Sequence, residues 1–244
     1  PAGPVTLVDA DSAVPWGQAA PHAVAAQPEA GGWHIVLHAR TGADAETDRS
    51  IAGEPRDRMQ YGAAVGAGTL SIAAGNDAVS PVRVLGAAMR SAQIAGALGR
   101  AVEFAVEHAT TRRQFGRPIA KFQAIQQTLA RAAALAAEAR MAAHVGFRAL
   151  DAAGLDAAGL DAAEAAVATA KVVCSEAVEP VTDAVHQVHG AIGFTEEHEL
   201  HFTTRRLWAW RAEFGSDGFW SERLGRAVLG RGAANLWPDL TRRR

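Results

Sequence analysis

From Val84 onward the apolar residues of this chain recur at a helical period, and that switch limits the possible fold more than any other feature. Ile94, Leu98, Val102 and Ala105 fall on one face of a segment that ends near Thr110. Ile125, Leu129, Ala132, Ala136 and Ala139 line a second segment running to about Leu150, and Val167, Ala170, Cys174, Ala177, Val181 and Val185 line a third. Steps of three and four residues place such side chains on one stripe of an α-helix. Pro180 lacks an amide donor and crowds the preceding turn, so it predicts a kink or a split in the third helix. Residues 202–211 and 219–229 are expected to form two more helices, and residues 152–161, which repeat a short Gly-containing unit, a loop. Frequent alanine permits close helix approach. The expected fold is mainly α, an antiparallel four-helix-type bundle over residues 85–244.

Residues 1–84 differ in kind. Short apolar runs at 5–8, 33–38 and 68–72 are expected as strands, with turns at Gly31-Gly32 and Gly53-Glu54-Pro55. Asp44 to Arg58 is charged with little to pack and is expected mostly as loop. The bundle is therefore expected to follow a small partial β domain, a piece of an antiparallel sheet or barrel.

A chain of 244 residues can bury a large core, as one domain or two. A net charge of −2 gives no global field for nucleic acid or membrane. No apolar run is long enough to cross a bilayer and no secretory signal pattern is present, so a cytoplasmic location is expected. The single cysteine, Cys174, excludes an internal disulfide and is expected as a small buried apolar residue.

Chemistry concentrates in residues 110–126. Arg112, Arg113 and Arg117 carry fork-shaped cations whose donors match pairs of phosphate oxygens. Phe115 and Phe122 add aromatic faces, and Gly116-Arg117-Pro118 ends the helix, leaving these groups at a helix end. Taken alone, the stretch reads first as a solvated basic loop between two bundle helices and only second as a ligand site. The turn Gln187-Val188-His189-Gly190-Ala191-Ile192-Gly193 offers close backbone approach to a ligand or a plain helix cap. His186, His189, His198 and His201 lie among Glu196, Glu197 and Glu199 without a strict metal-binding spacing. They are expected as solvated charge at a helix start, and no metal is expected. Gly62 to Gly68 does not complete a dinucleotide fingerprint. Trp208, Trp210 and Trp220 with Phe202, Phe214 and Phe219 are expected mostly as packing residues, and Arg242-Arg243-Arg244 as a frayed tail.

Three stretches, in this order, resemble the C-terminal domain of acyl-CoA dehydrogenases: Met89 to Gly99, Thr110 to Gln126, and Gln187 to His198. The resemblance covers residues 85–230 and, more weakly, 1–84. It implies a FAD-dependent oxidoreductase that forms a double bond between the α and β carbons of an acyl-CoA, as in fatty-acid or sterol side-chain β-oxidation, and passes electrons to an electron-transfer flavoprotein-like acceptor. It also implies a homo- or hetero-oligomer with another acyl-CoA dehydrogenase chain, because in this family the bundle of one subunit contacts the flavin of the other. Carried over, Arg112 meets the FAD pyrophosphate with Gln114 and Phe115 beside it and Phe122 and Gln123 following. Gln187, Gly190 and Ala191 meet the adenosine half. Ala191 stands where the family usually has glycine, a change that costs energy if φ is positive there.

The family takes the α-proton with a glutamate. Ungapped alignment puts Phe214 at that position and Glu213 one residue earlier, a rotation of about 100° if the helix continues. Relatives that take the base from the opening helix have it where this chain has Met89; Arg90 matches an arginine that neighbours the base. Glu213 is the one nearby candidate, and the chain resembles the non-catalytic partner of two-chain bacterial members. The expectation includes a short or truncated chain, since the family's N-terminal helical domain has no counterpart here. A second expectation, of another class, is a helical assembly subunit that binds no flavin.

Overall fold

The computed structural model describes residues 3–9, 13–40, 46–59, 61–64, 70–73, 78–153 and 157–241. The expectations for Gly68-Thr69, for most of the Gly62 to Gly68 stretch, for Asp44, for residues 154–156 and for the Arg242 to Arg244 tail lie wholly or partly outside those residues.

The N-terminal part holds two small sheets. Strands β1 (Val5–Val8), β3 (His22–Glu29), β4 (Gly32–Arg40), β7 (Tyr61–Ala64) and β8 (Leu70–Ala73) form one; β2 (Val14–Pro15), β5 (Glu46–Arg49) and β6 (Pro55–Arg58) form the other. The β3–β4 hairpin turns at Ala30-Gly31, where Gly31 takes φ +86°. β1 runs parallel to β3, so the first sheet is mixed rather than purely antiparallel. The loop expected across Asp44 to Arg58 is corrected: β5 and β6 pair antiparallel from Glu46–Arg58 to Arg49–Pro55, with β6 also pairing β2. No apolar alternation announced these strands because all four β5 residues are exposed and the buried side chains of β6 are charged. Arg56 and Asp57 are buried, and Asp57 Oδ2 accepts from the Gln18 amide at 2.9 Å.

Helix α1 (Pro81–Thr111) opens with proline at its first position, where no amide donor is missed. It runs antiparallel to α2 (Gln123–Ala153), and between them lies a minimal hairpin of β9 (Arg113–Gln114) and β10 (Arg117–Pro118). Helix α3 (Ala157–Glu176) begins inside the stretch expected as loop, a correction: alanine at 157, 158, 162 and 163 outweighs the one glycine at 159. The predicted split near Pro180 occurs at Ala177, and α4 (Val178–His189) carries Pro180 in its first turn, where amides have no helical partner. Helices α5 (Leu200–Ala212), α6 (Asp217–Arg231) and α7 (Leu236–Thr241) follow.

One core joins Ile94, Leu98, Ala105, Ala139, Cys174, Val181 and Leu207 across α1 to α5. A second gathers Ile72, Val84, Val167 and Trp220 where α6 and β8 meet α1 and α3. Small residues set helix separation: a Cβ on Gly146 of α2 would lie 3.1 Å from Ala170 Cβ on α3. Of the aromatic residues expected in packing, Trp220 is fully buried, whereas Phe202 and Trp208 are exposed.

Candidate functional site

The three motif stretches fall at two ends of α1. Arg90 and Arg112 are twenty-two residues apart, about 33 Å along the helix axis, so they belong to different sites on this chain.

At the far end, Arg112 caps α1, its amide donating to His108 O at 2.8 Å. Phe115 (φ 52°) and Gly116 (φ +78°) form the left-handed corner of the β9–β10 hairpin. That corner pushes the Phe115 ring into solvent, 90% exposed, edge-on to Phe122 at 6.0 Å. Arg117 lies over the Phe122 ring at 4.3 Å, and Arg113 Nη2 donates to Gly116 O at 3.0 Å. Gln114 is exposed, as is Gln123 at the start of α2. Among the described residues no carboxylate pairs with Arg112, Arg113 or Arg117.

The turn after α4 stands at the same end. His108, one helical turn before Arg112, stacks on His189 at 4.7 Å, and His189 adjoins Gly190. Gly190 takes φ 63° and has open space where a side chain would be. Gln187, Gly190 and Ala191 are exposed. Ala191 lies in the 3-10 turn Gly190–Phe194 without a positive φ, so its methyl brings no backbone penalty. Buried Gly193 instead carries the close contact: a Cβ there would lie 2.8 Å from His189 Cβ. The solvated-charge expectation for the histidines is corrected for His189, which is buried in ring contacts with His108 and His198. Among the described residues no group of three or more His, Cys, Asp or Glu side chains is arranged to hold a metal.

Guanidinium forks with no carboxylate partner among the described residues, an open aromatic face and an unobstructed glycine backbone form a donor set that fits the anionic diphosphate and flat base of a dinucleotide such as FAD.

At the near end, a cleft of about 250 Å3 lies between β1, β2 and α1, walled by Val5, Leu7, Trp16, Met89, Arg90 and Phe214. Helix α5 ends at Ala212, and Phe214 (φ 54°) and Gly215 (φ +93°) turn the chain. Glu213 and Phe214 therefore diverge at a left-handed corner rather than by helical rotation. The Phe214 ring packs on Gly86, where a Cβ would lie 2.2 Å from Cδ1. Glu213 Oε2 accepts from Arg90 Nε at 2.7 Å, and its other oxygen meets Arg56 Nη2. Arg90 also donates to Gln93 and lies 5.4 Å from the Trp210 ring.

A second carboxylate backs this pair. Glu54 accepts from Arg206 Nε at 2.9 Å and Trp210 Nε1 at 3.0 Å and lies 3.4 Å from Arg56 Nη2. Burial alone would raise its carboxyl, but these hydrogen bonds and the Arg206 and Arg56 charges outweigh it and hold the group below the usual carboxylate range. Neither Glu54, Arg56 nor Arg206 was visible as a site residue in the sequence, since the network joins a short charged hairpin to a helix some 150 residues on.

The sequence model of the acyl-CoA dehydrogenase C-terminal domain matches residues 84–229. The acyl-CoA dehydrogenase IpdE2 of Mycolicibacterium smegmatis is 32% identical over 120 residues, 49% of this chain and 35% of that protein. The ChsE4–ChsE5 complex from Mycobacterium tuberculosis aligns at TM-score 0.71 and 24% identity, over 93% of this chain and 63% of that one. An acyl-CoA dehydrogenase of Bacillus anthracis complexed with FAD aligns at TM-score 0.69 and 18% identity, over 93% of this chain and 44% of that one. The two structural matches are likenesses of fold. The chain spans about a third of the length of the IpdE2 relative.

Proposed function

The chain belongs to the acyl-CoA dehydrogenase family, and from that premise we propose that it is a flavoprotein subunit that helps hold FAD and forms an oligomer interface while leaving proton abstraction to another chain. The observation that carries this is the commitment of Glu213. Among the described residues no carboxylate lines the cleft; Glu213, paired with Arg90 of its wall, is bound by two guanidiniums, Arg56 and Arg90, and Met89 and Phe214 are among the side chains that face the cleft. A general base must reach the proton it takes; here the reaching group is a phenyl ring.

When bound, the flavin supplies hydride acceptance from the β-carbon of an acyl-CoA. This chain's part is to bind and orient. Arg112 would meet the diphosphate bidentately, Phe115 would cover a flat face with Gln114, Phe122 and Gln123 around it, and Gln187, Gly190 and Ala191 would meet the adenosine half. The 33 Å or so between Arg90 and Arg112 exceeds the distance from ring to diphosphate in one dinucleotide, which supports a flavin site shared between subunits. The partner would be a second acyl-CoA dehydrogenase chain that carries the glutamate, and the electrons would pass to an electron-transfer flavoprotein-like acceptor. The ChsE4–ChsE5 relative is likewise a complex of two chains.

The test is FAD titration of the purified chain, alone and with a co-expressed dehydrogenase chain, followed by flavin fluorescence. Saturable quenching is expected in at least the mixed sample. No binding in either would favour a purely structural assembly subunit.

A further inference from the structure

The histidines around the far-end turn are not among the residues proposed above to hold the dinucleotide, yet they form the floor on which that turn rests. His189 is 5% exposed, and its ring lies 4.7 Å from His108 and 4.6 Å from His198, with Phe104 edge-on to His198 at 6.0 Å. His189 Nδ1 lies 2.7 Å from Val185 O and so carries the ring proton, which leaves Nε2 a lone pair. That Nε2 is buried and has no partner among the described residues. One turn earlier, His186 stacks on Phe194 at 4.5 Å, and its Nε2 pairs with Thr204 Oγ1 at 3.2 Å. Gly193 presses between them: a Cβ there would lie 2.8 Å from His189 Cβ and 3.3 Å from His186 Nδ1.

We propose that the His108–His189 ring pair, packed against His198, is a proton-sensitive clamp: with both rings of the pair neutral the Gly190–Phe194 turn is held against the bundle, and protonation releases it. A second proton on His189 must sit on Nε2, creating a buried donor with no acceptor beside two other imidazoles. Among the described residues, the charged or titratable groups acting on His108 are His189, His198 and Arg112, and the one acting on His189 is His198; neighbouring His186 is acted on by His189 and by Asp183 of α4. Arg112 adds repulsion at His108, whereas Asp183 favours the protonated ring at His186. Burial first, then the neighbouring cations, holds His108 below the usual imidazole range; burial first lowers His186 and His189 as well. The closed turn therefore binds protons less well than the open one. Its stability is complete above about pH 6.5 and is lost as pH falls below that value.

The functional consequence rests on the reading above: release would carry Gly190 and Ala191 away from the dinucleotide. The clamp itself is tested without flavin. Hydrogen exchange of residues 187–198 in the full chain is followed from pH 7.5 to 5.5, corrected for intrinsic exchange and referenced to amides near Ile94 and Leu98. The opening constant is expected to rise about tenfold per pH unit per proton below about pH 6.5, while the reference amides stay protected. His189→Asn keeps a donor toward Val185 O but cannot titrate, and is expected to flatten the dependence. Should that variant not fold, NMR titration of His189 in the unaltered chain is expected to show protonation below pH 6.5 together with movement of turn signals. Protection independent of pH, an unchanged dependence in His189→Asn, or His189 titrating at or above 6.5 would overturn the clamp. Because no flavin is present, failure to bind FAD and failure of the clamp are separate results.

Discussion

Arg90 Nε donates to Glu213 Oε2 at 2.7 Å, and this pair joins the opening helix of the bundle to the corner after α5. Both side chains are largely out of water, at 11% and 17% exposure, and Arg56 completes the bridge from β6. Removing one member of a buried pair leaves the others uncompensated, at about 3–5 kcal/mol. Glu213→Ala is expected to lose stability of that order in urea denaturation, and Glu213→Gln, which keeps an acceptor oxygen, distinctly less. Equal stability of Glu213→Ala and the parent would show that the bridge is not formed.

Gly86 exists as a socket for Phe214. Gly86→Ala puts a methyl where the ring lies and is expected to cost about 1–3 kcal/mol by overpacking. Phe214→Leu in the same chain is expected to recover part of it, so a double-mutant cycle of denaturation midpoints would give a non-zero coupling.

Arg112 is exposed and carries no structural ion pair among the described residues. Arg112→Ala is expected to change stability by less than about 0.5 kcal/mol. A hydrogen bond to a charged group is worth about 1.5–3 kcal/mol, so FAD affinity is expected to fall about 10- to 100-fold. Arg112→Lys is expected to recover only part of the loss, because a point charge lacks the fork. Parallel fluorescence titrations and thermal melts separate the two effects.

Lys171 and Cys174 give opposite pH signatures from one buried turn. Lys171 Nζ donates to Arg211 O at 2.7 Å, and burial lowers its ammonium from 10.5 to about 8. Burial pushes the Cys174 thiol from 9.0 up to about 12. Between pH 8 and 10.5 unfolding takes up a proton at Lys171, so stability rises with pH by about 1.4 kcal/mol per unit. Between pH 9 and 12 unfolding releases one from Cys174, and stability falls at that slope. The expected curve rises from pH 8 to 9, is level to 10.5, then declines. Lys171→Met is expected to abolish the rise, and Cys174→Ala to extend it to 10.5. Urea midpoints at stepped pH would trace all three curves.

The bundle was legible because its stripes are local: Ile94, Leu98 and Val102 announce α1 within nine residues, and Pro180 announces the α3–α4 break. The β5–β6 hairpin was not, because its buried positions are Arg56 and Asp57, which carry no strand signal and whose partners Glu213 and Gln18 lie far off in sequence. At the far end the sequence marked Arg112 and Gly190 separately. Their common location depends on the ring contact between His108 and His189, which no spacing in the chain predicts. At the near end, Glu213 stood out by proximity in sequence, but its orientation was set by the positive φ of Phe214, and its partner Arg56 lies 157 positions away.

The central proposal is that this chain helps bind flavin and that, among its described residues, no carboxylate at the near-end cleft is free to take the α-proton. Its most direct measurement is anaerobic titration of the FAD-reconstituted chain, without any partner, with straight-chain and ring-bearing acyl-CoA thioesters while flavin absorbance is recorded. Whatever flavin the chain retains by itself is expected not to bleach with any of them, and bleaching is expected once a base-bearing dehydrogenase chain is added. Bleaching by an acyl-CoA in the chain alone would contradict it.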